Sequence, residues 1–219
     1  MSRILFEKTS NAIWISHLDL MRVFQRAFRR AELPLTHSQG FNPRPSVSIA
    51  LPLSVGIESQ CELLDFTLDG EAVPCDEIKH RLNKKLTDGI VVREVYDDGR
   101  KLRELVFLHS TVTLEYDGGV PQNATTIIRD LFTGDSLIVP KKTKNGIQDQ
   151  DLIPMIDSIE VRQAGEKEIV LDVVGYCQNP TLNPMQLAVA VNLHLPHLAP
   201  DFAKCRRIEV LDGEKNVFR

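Results

Sequence analysis

The chain has only four cysteines in 219 residues, and no two of them form a CxxC pair. Cys61, Cys75, Cys177 and Cys205 are too few and too scattered for the disulfide framework of a small secreted domain. A zinc site would need ligands gathered from distant segments, and no closely spaced trio of cysteines offers an iron–sulfur site. The simplest reading is four small buried hydrophobes with inert thiols, so no metal site is assigned. The sequence contains no GxGxxG, no P-loop and no HExxH, which removes the common nucleotide and metalloprotease signatures. No stretch approaches the ~20 apolar residues that span a bilayer, so no membrane partner is expected. The opening MSRILFEKTSNAIWISHLDL lacks the apolar core and small-residue cleavage site of a signal peptide, and the expected compartment is the cytoplasm.

What is present is an ordinary globular composition. Hydrophobic residues make up 42% and charged residues 26%, enough apolar side chains for one large or two small cores. The net charge is −4, but it is unevenly spread. Residues 1–50 carry Arg3, Lys8, Arg22, Arg26, Arg29, Arg30 and Arg44 against Glu7, Asp19 and Glu32, a local excess of four cations. A basic segment on an acidic body suits a focused anion site better than general adhesion to polyanions.

The order of elements suggests an α+β protein of two tandem ferredoxin-like (βαββαβ) units with antiparallel sheets, residues 1–98 and 99–219. In the first half, strands are expected at Arg3–Lys8 and Ala12–Ile15. Ser16 can cap a helix running from His17 to Glu32, with Leu18, Met21, Phe24, Phe28 and Ala31 on its apolar side and Pro34 stopping it. Strands at Ser46–Ala50 and Cys61–Leu68, a helix at Asp76–Leu86 closed by Gly89, and a strand at Ile90–Tyr96 follow. The second half reads as a strand at Val106–Tyr116, a helix over Ala124–Phe132 capped by Asn123, and a strand at Leu137–Val139. A polar loop over Lys141–Gln150 precedes a hairpin of Asp157–Gln163 and Glu168–Gly175. Asn183-Pro184 opens a helix through Leu195, and Arg206–Leu211 is the last strand. The halves share no sequence self-similarity, so the duplication rests on element order alone.

Residues 16–59 hold the densest chemistry. Arg22, Arg26, Arg29 and Arg30 recur at i, i+4, i+7 and i+8 and form a stripe beside the apolar one. Guanidinium forks match phosphate oxygens bidentately, so the stripe is a candidate phosphate-docking surface; a solvated face paired with the acidic body is the alternative. The next loop packs His37, Ser38, Gln39, Gly40, Phe41, Asn42, Pro43, Arg44 and Pro45 into a stiff, polar stretch. His37, Ser38, Gln39, Asn42 and Arg44 can read a base, sugar or phosphate, and Phe41 can stack. The alternative is a crossover in which Phe41 is a buried plug. His17 and His37 are candidate general acid–base groups near the stripe, though for His17 a helix-start residue that helps cap or packs on the sheet is the preferred reading.

The strings SHLDLMRVFQRAFRRAELP and SQGFNPRPSVSIALPLSVGIES resemble the N-terminal motifs of the radical-SAM-linked domain of unknown function. That family occurs beside a radical SAM enzyme or fused to one. The resemblance implies such an enzyme as partner, with S-adenosylmethionine and the iron–sulfur cluster carried there and no cofactor in this chain. The family pattern commonly has histidine where this chain has Arg44, an exchange that keeps a phosphate-facing cation but not a proton-transfer group. The tandem architecture is also similar to that of CRISPR repeat-processing endonucleases, which adds a metal-independent RNA-processing enzyme to the readings.

Three readings result. The leading one is an accessory protein, not an enzyme on its own, that presents tRNA or another structured RNA to a radical SAM partner. The others are an RNA-processing or RNA-modifying enzyme using His17 or His37, and an interaction module that docks on the partner without RNA. Lesser features include His194 and His197, read as helix-end residues rather than zinc ligands. Asn183 is read as a cap, and Lys141, Lys142 and Lys144 as a solvated basic cluster.

Overall fold

The apolar run near the N-terminus forms strand β1 (Ser2–Lys8), in a computed structural model that describes residues 1–143 and 146–219. The described chain is α+β, with four α-helices and mostly antiparallel strands. It divides into two units, residues 1–104 with 218–219, and residues 105–217.

In the first unit, β1 is followed by α1 (His17–Arg30), β2 (Val47–Ile49), β3 (Glu58–Phe66), α2 (Cys75–Asn83) and β4 (Ile90–Asp97). The strands are ordered β4-β1-β3-β2, every neighbouring pair antiparallel. Ile4 and Phe6, Leu64 and Phe66, and Ile90 and Val92 each lie two residues apart and so share one face of the sheet. On that face the helices bury Leu20, Phe24, Ala27 and Phe28 of α1 and Ile78 and Leu82 of α2. Phe24 meets Phe6 edge-on with ring centroids 4.7 Å apart, and Phe28 meets Phe66 at 5.0 Å. Burying such a ring stabilises the fold by about 1.5–3 kcal/mol. Arg3 is buried in an ion pair with Asp65 at 2.6 Å and donates to the Arg100 carbonyl at 2.8 Å.

Two expectations for this unit fail. Ala12–Ile15 is not a strand, because Ser10–Trp14 winds into a 3₁₀ turn. The Thr9 amide donates to the Gly89 carbonyl and the Thr9 carbonyl accepts from Ala12, which diverts the chain from the sheet. Gly89 permits this approach. Its φ is +83°, and a Cβ there would stand 2.3 Å from the Thr9 oxygen. Leu18 is 69% exposed rather than core-facing. The buried stripe instead starts at Leu20, about half a turn round the helix from Leu18.

The second unit comprises β5 (Leu105–Glu115), α3 (Ala124–Leu131), β6 (Ile138–Thr143), β7 (Gly146–Asp151), β8 (Ile156–Gln163), β9 (Glu168–Tyr176), α4 (Met185–His194) and β10 (Phe202–Asp212). Its main sheet runs β10-β5-β9-β8, again antiparallel. The expected loop over Lys141–Gln150 is mostly a hairpin, β6 pairing with β7 along six residues each; Lys144 lies outside the described residues. Neither face of this ribbon alternates in hydropathy, because it is held by its backbone ladder and by its base. There Asp151 accepts from the Leu137 and Ile153 amides and the Ser136 hydroxyl. The last strand begins at Phe202 rather than Arg206. Asn123 takes a left-handed conformation and makes no side-chain cap, whereas Asn183 Oδ1 does accept from the Met185 amide at 3.2 Å.

Candidate nucleic-acid interface

Ser16 starts α1 as anticipated. Its hydroxyl oxygen accepts from the Asp19 amide at 3.2 Å and its proton is donated to the Asp19 carboxylate at 2.8 Å. Asp19 also pairs with Arg22 at 2.8 Å. The Ser16 hydroxyl first, and Arg22 after it, hold that carboxyl below its usual range. Arg22 is therefore partly neutralised by its own helix. Arg26, Arg29 and Arg30 are exposed and, among the described residues, are in no salt bridge. Arg29 and Arg30 occupy the last turn, where cations favour the negative end of the helix dipole.

The helix stop builds the site. Glu32 adopts φ +55°, a left-handed conformation usually given to glycine, and the Leu33 amide closes back on the Phe28 carbonyl at 3.0 Å. The chain then turns through Leu33 and Pro34 and joins the sheet edge. Leu35 bridges Leu68, and the Thr36 amide donates to the Thr67 carbonyl at 2.9 Å. These residues and the end of α1 enclose a groove of about 700 Å³. Its apolar floor is the edge of Leu35 flanked by Pro34 and Pro45, above the closed core residues Phe28 and Leu33, and Gln25, Arg26, Arg29, Glu32 and His37 supply polar groups.

Beyond His37 the loop closes on itself. His37 bridges Pro45, the Ser38 amide donates to the Arg44 carbonyl at 2.9 Å, and the Arg44 amide donates to Ser38 Oγ at 3.0 Å. Ser46 then donates to the Thr36 carbonyl at 2.7 Å. The base is pinned while the tip, Gln39 to Pro43, stands in solvent with Gly40 at φ +132°. Phe41 is not a buried plug: at 106% relative exposure it is a bare ring. So aromatic area sits in water where nothing in the fold requires it.

Of the residues singled out from sequence, Arg26, Arg29 and His37 come together at the groove, and Arg22 and Arg30 lie outside its lining. Ser38, Gln39, Phe41, Asn42 and Arg44 belong to the adjoining lobe. His17 is the first residue of α1, twelve positions and ~18 Å of helix from Arg29, so it shares no site with His37. Its Nδ1 is buried with no hydrogen-bond partner among the described residues. Gln25, Glu32 and Leu35 were not singled out from sequence. Only the helix neighbours Gln25 and Glu32 carried a signal, by their spacing to Arg29. His109 Nε2 lies 2.7 Å from Asp172 on the second unit's sheet, a pair that strand register assembles from residues far apart in sequence.

The cysteines Cys61, Cys177 and Cys205 are buried, and burial pushes the thiols of Cys177 and Cys205 up to about 12, which leaves them poor nucleophiles. His194 Nε2 is 2.8 Å from the Ile138 carbonyl. Among the described residues no three His, Cys, Asp or Glu side chains gather as a metal set. Among the described residues no helix is long and apolar enough to cross a membrane.

Comparison with known proteins adds the following. A chain of the crystal structure of a Cbf5–Nop10–Gar1 complex is similar in fold, with a TM-score of 0.52 over 95% of this chain and 11% identity. The match covers 48% of that chain, so this protein spans about half its length. The crystal structure of an unknown protein from Galdieria sulphuraria overlaps 94% of this chain and 96% of its own at 10% identity, with a TM-score of only 0.27. No curated protein matches the sequence. The family model described as an uncharacterized protein conserved in bacteria matches residues 2–184, and the chain accordingly belongs to that family, DUF2344.

Proposed function

We propose that this chain is a cytoplasmic accessory protein of a radical SAM enzyme that binds tRNA or another structured RNA and presents it to that partner. The observation carrying the reading is the meeting of Arg26, Arg29 and His37 at one groove, the two arginines being exposed and without a salt-bridge partner among the described residues. Cations left without carboxylates in an acidic protein attract an external polyanion, and phosphate oxygens fit guanidinium forks. The lobe beside the groove supports the same reading. It offers an exposed ring for base stacking and Asn42, Gln39 and Arg44 for hydrogen bonds, on a base already ordered before binding. The radical SAM partner, with its S-adenosylmethionine and iron–sulfur cluster, comes from the resemblance of residues 16–59 to the radical-SAM-linked domain. The strand orders β4-β1-β3-β2 and β10-β5-β9-β8 support two ferredoxin-like units in tandem, the second with the β6–β7 hairpin inserted.

The test is binding of the full chain to labelled small cellular RNA over a salt titration, beside Arg26→Glu/Arg29→Glu. Wild type should bind with a steep salt dependence. The double variant, unchanged in circular dichroism, should lose at least about tenfold in affinity and about two units of salt slope. Equal binding by both proteins sinks the reading.

One observation favours an interaction module. Trp14, Leu18 and Val55 are 65%, 69% and 51% exposed on the first unit, and the Trp14 ring lies against Gly56. Apolar side chains bared in this way suit a protein face. Failure of RNA binding together with capture of the radical SAM partner, lost in Trp14→Ser/Leu18→Ser, would establish that alternative.

A further inference from the structure

The groove at the end of α1 differs in kind from the arginine stripe above it. A stripe of exposed cations follows a phosphate backbone and requires no cavity. Here two of the cations, Arg26 and Arg29, stand beside an apolar floor of Leu35 flanked by Pro34 and Pro45. Phosphate has no use for such a floor. The ligand must therefore be amphipathic, with a flat or apolar body and one attached anion. The cavity, about 700 Å³, is of small-ligand size. It is too small for a base-paired helix, whose bases are in any case turned inward.

The polar groups narrow the body. Glu32 brings a carboxylate that can only accept hydrogen bonds, Gln25 an amide that both donates and accepts, and His37 a ring that can do either. An acyl tail would offer no partner to Gln25 or His37. The edge of a nucleobase offers matching N–H and acceptor groups, and its faces fit the apolar floor. The Glu32 carboxylate also repels a second anion, so the groove suits one phosphate beside its base rather than a polyphosphate. We infer that this groove is a subsite for a single unpaired nucleotide, its base on the floor of Pro34, Leu35 and Pro45 and its phosphate on Arg26 and Arg29. This deepens the RNA-binding reading and rests on it. The RNA that the stripe attracts is engaged through one nucleotide out of its stack, a state that flexible loops and chain ends supply cheaply.

The inference is tested with the full chain by calorimetric titration of adenosine 5′-monophosphate, adenosine, inorganic phosphate and octyl phosphate. A companion variant, Gln25→Trp, fills the groove without altering charge. Adenosine monophosphate should bind at least about tenfold tighter than phosphate, adenosine or octyl phosphate, since base stacking and the phosphate contacts add. Gln25→Trp should abolish that binding with the circular dichroism of the full chain unchanged. Phosphate or octyl phosphate binding as tightly as the nucleotide overturns the inference, as does unchanged nucleotide binding in Gln25→Trp. RNA binding by wild type with no nucleotide binding overturns the subsite and leaves the RNA reading intact. Loss of both overturns both.

Discussion

The two units arrange their strands in the same order and treat their charges differently. In the second, Lys204 lies between Glu115 and Glu168, Lys215 pairs with Asp157, and His109 meets Asp172. The first also pairs Arg3 with Asp65, Arg93 with Glu7 and Arg100 with Glu104, yet its helix α1 carries Arg26, Arg29 and Arg30 with no salt bridge among the described residues. Surface pairs of the first kind contribute at most about 1 kcal/mol each, so pairing is no great source of stability. Its value is that it closes a surface to outside anions. A pair of similar scaffolds thus teaches that location in the fold says little about function, whereas the state of the charges says much.

The comparison breaks most visibly through the core. Phe24 is fully buried on the helix whose other side bears the arginines. Phe24→Ala should cost about 3–5 kcal/mol in urea unfolding and also weaken RNA binding, because packing of one face orients the other. Ile128→Ala, equally buried on α3, should cost about 2–4 kcal/mol and leave RNA binding by the folded protein unchanged. Equal loss of binding in both would show that the units do not divide the work. A smaller effect is expected at Gly89, whose backbone is left-handed and pressed on Thr9. Gly89→Ala should lower stability by roughly 2 kcal/mol while keeping the groove, so denaturant midpoint and RNA affinity should part company. Least of all should come from Lys141→Gln/Lys142→Gln in the hairpin. If the first unit carries the RNA, filter binding should change by less than about twofold, whereas a larger drop would extend the basic track into the second unit.

Much of the frame was legible because local rules and tertiary packing agree there. Ser16 caps α1, Pro34 follows its end, and the hairpin of β8 and β9 turns where Gly165 permits. Legibility failed where long-range backbone contacts decide. Ala12–Ile15 is β-prone, yet Thr9 is drawn to Gly89, which no local pattern reports. The hairpin of β6 and β7 exposes both faces, so it has no hydrophobic period to detect. The candidate site was half visible. The arginines and loop residues announced themselves by type, but the apolar floor did not. Leu35 carries no local signal of a ligand surface; a left-handed Glu32 and the Thr36–Thr67 bond bring it beside the helix end. The i, i+3 spacing of Asp19 and Arg22 does set that arginine apart from its unpaired neighbours, and the two are paired in the structure.

The lobe between His37 and Pro45 bears on how such a protein can change. Its base is closed by main-chain bonds that depend little on which side chains follow, and apart from Gly40, whose φ of +132° strains any side chain, the residues of the tip stand in solvent. Surface changes free of such contacts usually alter stability by no more than about 0.5 kcal/mol. The tip is thus a cassette. Its residues can be exchanged, and its preference among ligands redrawn, while the core that holds it is inherited intact.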